Sequence, residues 1–446
     1  MSAAERAIVQ PVATSSCIWP QTASWNRGEL VIGGIRAADA VAEYGSPVYL
    51  LDEEDFRARC RHWRRIAGSD AVHYASKAFL SPLLARWLDE EGIDLDVCSP
   101  GEFSIARLGA FPPGRMFLHG NNKLDPNVNS AISDGVGCIV LDSEVEVRRV
   151  GAAASHLQRL QPVMVRLATG HRGHTHDHLA TAHYDQKFGI PIEGGLAQRA
   201  ISLVLGQPNL KLIGLHVHIG SQLLDARDFA SVAATVAGFA IAMDETYGIA
   251  VEVLDLGGGY AIPYRTGDPA PDHGLIVEQM RSTVKEHYRK HDKPVPRLAF
   301  EPGRAIIGPS MVALYRVGSV KQGWPERRYV NVDGGMSDNP RPALYGARYM
   351  VALASRDSSA PMVTSSVCGE HCEAGDVLVS DTQLPADVGS GDVLAIPVSG
   401  AYQRSMASNY NYVARPAVVA VKDGRTKVLI RRETIDDMSR LFAEGT

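Results

Sequence analysis

Eight short runs of apolar and β-branched residues recur between Val72 and Glu301, and longer amphipathic segments separate them. Strands that alternate with helices usually pair in parallel. Eight such units favour an α/β fold of the (β/α)8 TIM-barrel type, although a doubly wound open sheet would show the same alternation. We predict the barrel because of the count. The eight runs are 72–75, 95–97, 116–118, 138–141, 163–167, 212–217, 251–256 and 298–300.

Polar and turn-forming residues follow most of these runs, at the point where each predicted strand ends. Barrel enzymes build their active sites from the loops at the carboxyl ends of the strands. The sequence therefore predicts an active site assembled from these segments. They are 76–77, 98–102, 119–123, 142–143, 218–222, 257–259 and 301–304.

The rhythm changes after about Ile307, where short strand-like segments recur without long helices between them. This pattern is typical of a separate all-β domain, a sandwich or a barrel. We divide the chain into an N-terminal segment 1–45 that adds to the β domain, a barrel domain 46–306 and a C-terminal β domain 307–446. The strand-like segments are 30–32, 311–320, 328–332, 392–397, 417–421 and 427–431.

Composition excludes several classes of function. The formal net charge of -5 provides no basic surface for nucleic acid. No apolar stretch is long enough to span a bilayer, and Met1 to Arg6 does not begin a signal peptide, so we expect a cytoplasmic protein. The six cysteines are scattered, which favours reduced thiols. Cys368 and Cys372 flank His371, but no second pair lies nearby to complete a zinc site.

Three segments at predicted strand ends carry groups suited to catalysis. Lys77 lies among apolar residues that would lower the pKa of its amine, whereas most lysines are solvated surface charges. Gly257, Gly258 and Gly259 expose backbone N–H groups that can bind a phosphate, or form only a tight turn. Glu301 offers a carboxylate at the last strand end, and a salt bridge with Arg304 is the alternative interpretation.

Two further segments allow more than one interpretation. His174, His176 and His178 alternate as metal ligands on one face of a strand would, but nearby glycines indicate a polar loop, and we expect no metal. Arg341 and Tyr345 are four residues apart and could both bind a carboxylate. The same segment could equally be a turn.

Taken in order, the motifs resemble the pyridoxal-phosphate-dependent decarboxylases of the alanine-racemase-like fold, most of all the diaminopimelate decarboxylase branch. The resemblance extends from about Gly45 to Met438. Such enzymes need an amine, a phosphate cradle and an acid that faces the pyridine nitrogen. The motifs are 119–123, 174–176 with 185–189, 216–222, 301–304, 341–346, 371–376 and 405–411.

The resemblance implies how the cofactor, pyridoxal phosphate, is held. Lys77 would form the Schiff base, His218 would stack on the pyridine ring, and Glu301 would pair with the ring nitrogen. Tyr402 would contact both cofactor and substrate. The phosphate would be bound by Gly257, Gly258, Gly259 and the backbone around Gly303 and Arg304.

The resemblance also implies a homodimer with shared active sites and an amino-acid substrate. Arg304, Arg341 and Tyr345 would bind a substrate carboxylate. Cys372 would donate the proton, and Glu373 would contact the amino end of the substrate, both from the partner subunit. The implied reaction converts meso-diaminopimelate to L-lysine and carbon dioxide, the last step of lysine biosynthesis.

Several positions depart from the usual pattern of the family. Tyr260 and Ala261 replace a leucine and a glycine after the glycine triplet, and Tyr184 replaces an acidic residue. Gln403 and Arg404 follow Tyr402, and Arg404 adds a charge expected close to the substrate. These departures leave open a related decarboxylase acting on ornithine, arginine or a carrier-bound substrate. A non-catalytic cofactor-binding regulator is disfavoured because Lys77, Glu301 and Cys372 are all present.

Overall fold

The computed structural model describes residues 18–171 and 187–443. These residues form two compact units. The barrel unit comprises Arg59–Ile262 and Pro269–Ile306, and the β unit comprises the chain up to Ala58, Pro263–Asp268 and the chain from Ile307. The predicted division at 46 and 307 therefore differs from the observed units at its first boundary and by the insertion of 263–268.

The N-terminal part of the β unit contains a small antiparallel sheet of three strands. Glu29 in its second strand also forms an isolated β-bridge with Ser355. A further strand, β4, pairs with two strands from the C-terminal half of the chain, which explains the boundary difference. All five residues of β4 are buried, so its sequence is that of a barrel strand as much as of a sheet strand. The elements are β1 (Ser24–Asn26), β2 (Glu29–Ile32), β3 (Ile35–Arg36), α1 (Ala37–Tyr44) and β4 (Val48–Asp52).

Eight parallel strands close into a barrel within the described residues, which confirms the predicted fold class. The last strand pairs with the first, and the short β10 adds to one of them outside the ring. The strands are β5 (Ala71–Ala75), β6 (Asp94–Val97), β7 (Met116–Leu118), β8 (Cys138–Leu141), β9 (Gln161–Ala168), β10 (Ile190–Pro191), β11 (Leu210–Val217), β12 (Val253–Asp255) and β13 (Arg297–Phe300).

Helices alternate with the barrel strands, and their first residues explain where they begin. Ser81 and Ser99 each stand before a proline, and the side chain of each accepts a hydrogen bond from the backbone N–H of the third residue of the helix. Ser143 caps a third helix in the same way. The helices are α2 (Glu53–Ala67), α3 (Pro82–Glu90), α4 (Pro100–Leu108), α5 (Asp125–Ser133), α6 (Glu144–His156), α7 (Leu196–Leu205), α8 (Ala226–Tyr247), α9 (His273–Lys290) and α10 (Arg304–Ile307).

Helix α8 is long and apolar enough to cross a membrane by length and composition alone. A large share of its side chains is buried, including Phe229, Val232 and Val236. The helix also packs against α9 within the barrel unit. Its apolar composition is therefore explained by packing on the barrel.

The remainder of the β unit is built on the long strand β14, which pairs with β4, β15 and β19. Alternating polar residues on β17 and β18 hid both strands from the sequence analysis. The elements are β14 (Met311–Gln322), β15 (Arg328–Val332), α11 (Arg341–Tyr345), β16 (Ala352–Leu353), β17 (Met362–Cys368), β18 (Val377–Pro385), β19 (Val393–Ile396), β20 (Ala417–Lys422), β21 (Arg425–Ile430) and α12 (Ile435–Ser439).

Gly214 in β11 tests how tightly the barrel strands pack. A Cβ atom there would lie 2.3 Å from the carbonyl oxygen of Val253 on the neighbouring strand. We expect Gly214→Ala to lower the free energy of unfolding by about 2 kcal/mol or more, measured by chemical denaturation. Gly238→Ala is the matched control, since its Cβ would meet no atom within 4 Å on helix α8. That change should stabilise by up to about 1 kcal/mol, and equal effects would contradict the packing argument.

Candidate active site

The predicted residues of the barrel unit all follow strand ends, as the sequence analysis expected. Lys77 lies in a 3₁₀ turn directly after β5, between the buried Ser76 and Ala78. His218 comes immediately after β11, and Glu301 comes immediately after β13. Burial lowers the pKa of His218 well below its usual value, and the positive charge of Lys77 lowers it further. The amine of Lys77 is therefore close enough to His218 to affect its ionisation.

Glu301 is the centre of a buried polar cluster. Its Oε1 lies 3.1 Å from Nε2 of His216 and 3.3 Å from Nε2 of His119. Nε2 of His119 also lies 3.0 Å from a carboxylate oxygen of Asp96. Among the described residues, Oε1 of Glu301 has no hydrogen bond of good geometry. A buried carboxylate oxygen in this condition is suited to a donor from a bound molecule.

Burial controls the charge states in this cluster. It raises the pKa of Glu301 from 4.5 to about 8, and repulsion from Asp255 adds to the rise. Burial also lowers the pKa of His119 and His216, so both imidazoles are neutral at pH 7. A positive charge placed beside Glu301 would reverse its shift and restore the carboxylate.

A second buried pair lies beside the cluster. Nδ1 of His73 is 3.2 Å from Oδ2 of Asp255, and the His73 ring stacks on Phe117 at 4.1 Å. The other oxygen of Asp255 accepts a hydrogen bond from the N–H of Gly257 at 2.9 Å. Although burial opposes the charged forms, the mutual attraction raises the pKa of His73 and lowers that of Asp255. The pair thus fixes the first residue of the glycine triplet.

The glycine triplet has no room for side chains. A Cβ atom would lie 2.2 Å from the Val217 carbonyl at Gly257, 2.3 Å from that of Glu301 at Gly258 and 2.5 Å from that of Gly220 at Gly259. The N–H of Gly258 donates to Nδ1 of His218 at 3.2 Å, so the proton of this neutral imidazole is on Nε2.

Gly303 and Arg304 complete the rim at the last strand. At Gly303 a Cβ atom would lie 3.0 Å from the carbonyl oxygen of Ala75, close to the Lys77 turn. Arg304 is largely buried, and its guanidinium donates to Oγ of Ser221 at 3.0 Å. The alternative of a Glu301–Arg304 salt bridge is therefore not needed to explain Arg304.

The remaining predicted residues belong to the β unit. Arg341 is 7% exposed, and its Nη1 donates to the hydroxyl of Tyr264 at 2.9 Å and that of Tyr349 at 2.6 Å. Their phenol oxygens raise its pKa despite burial, so Arg341 is always charged. Tyr345 lies on the same short helix but is 49% exposed. The structure thus gives Arg341 two tyrosine partners that the sequence analysis did not identify.

Cys372 and Glu373 lie on an exposed loop that is fixed at its base by His371. Nε2 of His371 is 2.8 Å from Oγ of Ser337, and Nδ1 is 3.0 Å from Oδ1 of Asn411. These contacts join three loops of the β unit, at 334–339, 369–376 and 408–412. The hydroxyl of Tyr410 donates to Glu373 at 2.5 Å. The loop therefore presents a free thiol and an oriented carboxylate.

Most departures from the family pattern have a structural explanation. Tyr260 is buried in an aromatic cluster beneath the glycines, and Ala261 is not among the described residues with positive φ. Gln403 is fully buried, and Nε of Arg404 donates to the carbonyl of Pro416 at 3.1 Å. Burial lowers the pKa of Arg404.

The remaining predictions concern Tyr402, which the structure describes, and the histidine motif, which it does not. Tyr402 is partly buried with a left-handed φ of 60°. The histidine motif at 174–178 and Tyr184 lie outside the described residues. The sequence analysis had quoted His119 and His216 only within motifs and had given Asp96, Asp255 and His73 no role. The only feature of the sequence that could have identified them as site residues is their position, since each lies on or directly after a barrel strand.

An amine, a glycine cradle and a buried carboxylate meet on this rim, as a barrel enzyme that depends on pyridoxal phosphate requires. Oε1 of Glu301, which has no hydrogen bond of good geometry among the described residues, fits the ring nitrogen of that cofactor. The glycine triplet packs against neighbouring backbone without side chains, which suits a loop that binds a phosphate through its backbone. The described residues thus fit the group.

Comparisons with known proteins agree with this class. The family model described as pyridoxal-dependent decarboxylase, pyridoxal binding domain, matches residues 53–308. The diaminopimelate decarboxylase of Mycobacterium leprae is 44% identical over 437 residues, 96% of this chain and 93% of the relative. That of Bacillus subtilis is 40% identical over 419 residues, 93% and 95% of the two chains. The chain belongs to the pyridoxal-dependent decarboxylase family.

A solved structure shows the same fold over nearly the whole chain. The crystal structure of diaminopimelate decarboxylase from M. jannaschii, in complex with L-lysine, matches with a TM-score of 0.88. It is 30% identical, and the match covers 95% of this chain and 98% of that one. The protein is therefore a pyridoxal-phosphate-dependent carboxy-lyase, and the resemblance stated from its motifs is confirmed.

The raised pKa of Glu301 gives a pH-dependent stability without cofactor. Between about pH 5 and 8 the folded protein holds a proton on Glu301 that the unfolded chain has released, so stability falls as pH rises. Glu301→Gln removes this loss. Its Tm should match the native protein near pH 5 and exceed it increasingly toward pH 8. Glu286→Gln, on the exposed face of α9, is the control. Its ion pair with Lys290 lowers the pKa of Glu286, so this group stays ionised and its replacement should not change the pH profile between pH 5 and 8. A pH-independent difference would rule out the shift.

Proposed function

We propose that the protein decarboxylates meso-diaminopimelate to L-lysine and carbon dioxide, the last step of lysine biosynthesis. The observation that carries the proposal is the 44% identity to a diaminopimelate decarboxylase over 96% of the chain. The M. jannaschii enzyme in complex with L-lysine, the product of this reaction, supports it.

The residues of the barrel unit would hold the cofactor. The amine of Lys77 would hold the cofactor covalently through its aldehyde carbon, and His218 would stack on the ring. Glu301 would accept a hydrogen bond from the protonated ring nitrogen and keep that nitrogen charged, with His119 and His216 beside it. Gly257, Gly258, Gly259 and Gly303 would line the phosphate site. The N–H groups of Gly257 and Gly258 already donate to Asp255 and His218, so the phosphate would take its hydrogen bonds from the backbone at Gly259 and Gly303. When bound, pyridoxal phosphate supplies an electron sink for the pair released as carbon dioxide leaves.

The two arginines match a substrate with a second carboxylate. Arg304 on the barrel unit and Arg341 on the β unit are both largely buried, and a buried guanidinium is a strong carboxylate ligand. Tyr345 and Tyr402 would complete the contacts. A substrate without a distal carboxylate, such as ornithine, leaves one of these cations uncompensated. The presence of Arg304, Arg341 and Tyr345 therefore favours diaminopimelate over ornithine or arginine.

The loop of Cys372 and Glu373 would act in the site of a second subunit. Sγ of Cys372 returns a proton to Cα after carbon dioxide has left, and Glu373 binds the distal amino group of the substrate. Tyr410 holds the Glu373 carboxylate for this contact. A homodimer with shared sites follows from the proposal. The acid must stay a thiol, which suits the reducing cytoplasm.

Substrate identity is tested by incubating the protein and pyridoxal phosphate with meso-diaminopimelate, ornithine, arginine and lysine separately. Carbon dioxide and the amine product are measured in each. We expect carbon dioxide and L-lysine from meso-diaminopimelate only. Lys77→Ala is the control, because loss of the covalent amine should abolish turnover and the cofactor's protein-bound absorbance band. Comparable release from ornithine or arginine would refute the substrate proposal.

The shared site is tested by mixing two inactive variants. Lys77→Ala and Cys372→Ala, each alone, should be almost inactive. Heterodimers formed after dissociation and reassociation have one site with both native residues, so activity should return to at most about a quarter of the native value. Mixing two batches of the same variant is the control. If Lys77 and Cys372 act within one subunit, the mixture recovers no activity.

A further inference from the structure

Tyr260 follows the glycine triplet directly, yet its side chain turns away from the rim. It is 2% exposed and stacks on Phe229 of α8, with ring centroids 5.1 Å apart and ring planes 3° from parallel. Trp63 of α2 and His273 of α9 pack on it at 4.7 and 5.9 Å. Tyr260 thus ties the glycine segment to three helices of the barrel unit.

The hydroxyl of Tyr260 reaches back to the glycines. It donates to the carbonyl oxygen of Gly257 at 3.3 Å. Burial raises the pKa of Tyr260 well above 10, so the hydroxyl keeps its proton and remains a donor. The same carbonyl accepts the backbone N–H of Glu301 at 2.9 Å. The carbonyl oxygen of Gly257 therefore links the Tyr260 hydroxyl to the glycine triplet and to the backbone of Glu301.

The other side of the glycine segment is joined to the loop after β11. The N–H of Leu223 donates to the carbonyl of Gly259 at 2.9 Å, and that of Ala261 donates to the carbonyl of Leu223 at 3.2 Å. The amide of Gln222 binds both backbone groups of Ile262, at 3.1 and 3.0 Å. The segments 218–223 and 257–262 are thus one hydrogen-bonded structure, and Tyr260 supports it from beneath.

From these contacts we propose that Tyr260 is a positioning residue that sets the affinity for the cofactor's phosphate. The inference rests on the proposed role of the glycines as phosphate ligands. Glycines gain freedom in an unrestrained loop, and binding would have to remove it. A cradle fixed before binding avoids this loss, so the phosphate is bound more tightly. A leucine at position 260 could fill the apolar space but could not donate to Gly257.

The test removes the hydroxyl and keeps the ring. Tyr260→Phe should raise the Kd for pyridoxal phosphate about three- to tenfold, the expected effect of one buried hydrogen bond. The Kd is measured by titrating the full chain, freed of cofactor, and following its intrinsic fluorescence. At saturating cofactor, kcat should return to the native value, because Tyr260 does not touch the reacting atoms. Tyr288→Phe, a buried tyrosine on helix α9, is the matched control and should leave the Kd unchanged.

Tyr260→Leu should weaken cofactor binding further, since it also removes the aromatic stacking. If the leucine variant does not fold, the phenylalanine variant still decides the question. An unchanged Kd in Tyr260→Phe with a lower Tm would show a purely structural role and overturn the inference. Failure of the native protein to decarboxylate diaminopimelate would instead contradict the proposed function, because the Kd comparison needs no substrate.

Discussion

Closure of the parallel sheet is the constraint on which the site depends. Pairing of Ala299 with Ala71, and of Phe300 with Val72, places the last barrel strand beside the first. Lys77 and Glu301 follow these two strands, so residues from opposite ends of the barrel sequence lie on one rim. The amine and the carboxylate are therefore positioned by backbone hydrogen bonds of the sheet and not by flexible loops.

The same rim concentrates ionisable groups where water is excluded. Taking Glu301, Asp255 and Asp96 out of water is unfavourable unless each has a partner. Asp255 has His73, whereas the groups that contact Oε1 of Glu301 among the described residues are the neutral imidazoles of His119 and His216. Glu301 therefore holds a proton at neutral pH in the absence of a cation, and a cation bound beside it favours the carboxylate, so cofactor affinity and the ionisation of Glu301 are linked.

Much of this organisation could be predicted from the sequence, because strand runs and rim motifs are local patterns. The eight runs match the barrel strands, and Lys77, Glu301 and the glycines lie where the motifs placed them. Strand β4 was not identified as a strand, and residues 48–52 were placed in the barrel domain because a strand buried on both faces has the same sequence pattern in either unit. The direction of the Tyr260 side chain and the partners of Arg341 depend on packing between distant segments, which no local pattern records.

Strand β4 also determines when the β unit can form. Its neighbours in the sheet are β14 and β20, so residues 48–52 have no strand partners until residues 311–322 and 417–422 exist. On the ribosome, all strands of the barrel are made in the interval between them. Residues 48–52 are therefore synthesised early but cannot pair with β14 and β20 until the whole barrel has been synthesised. The contacts of highest sequence separation are the last to be made.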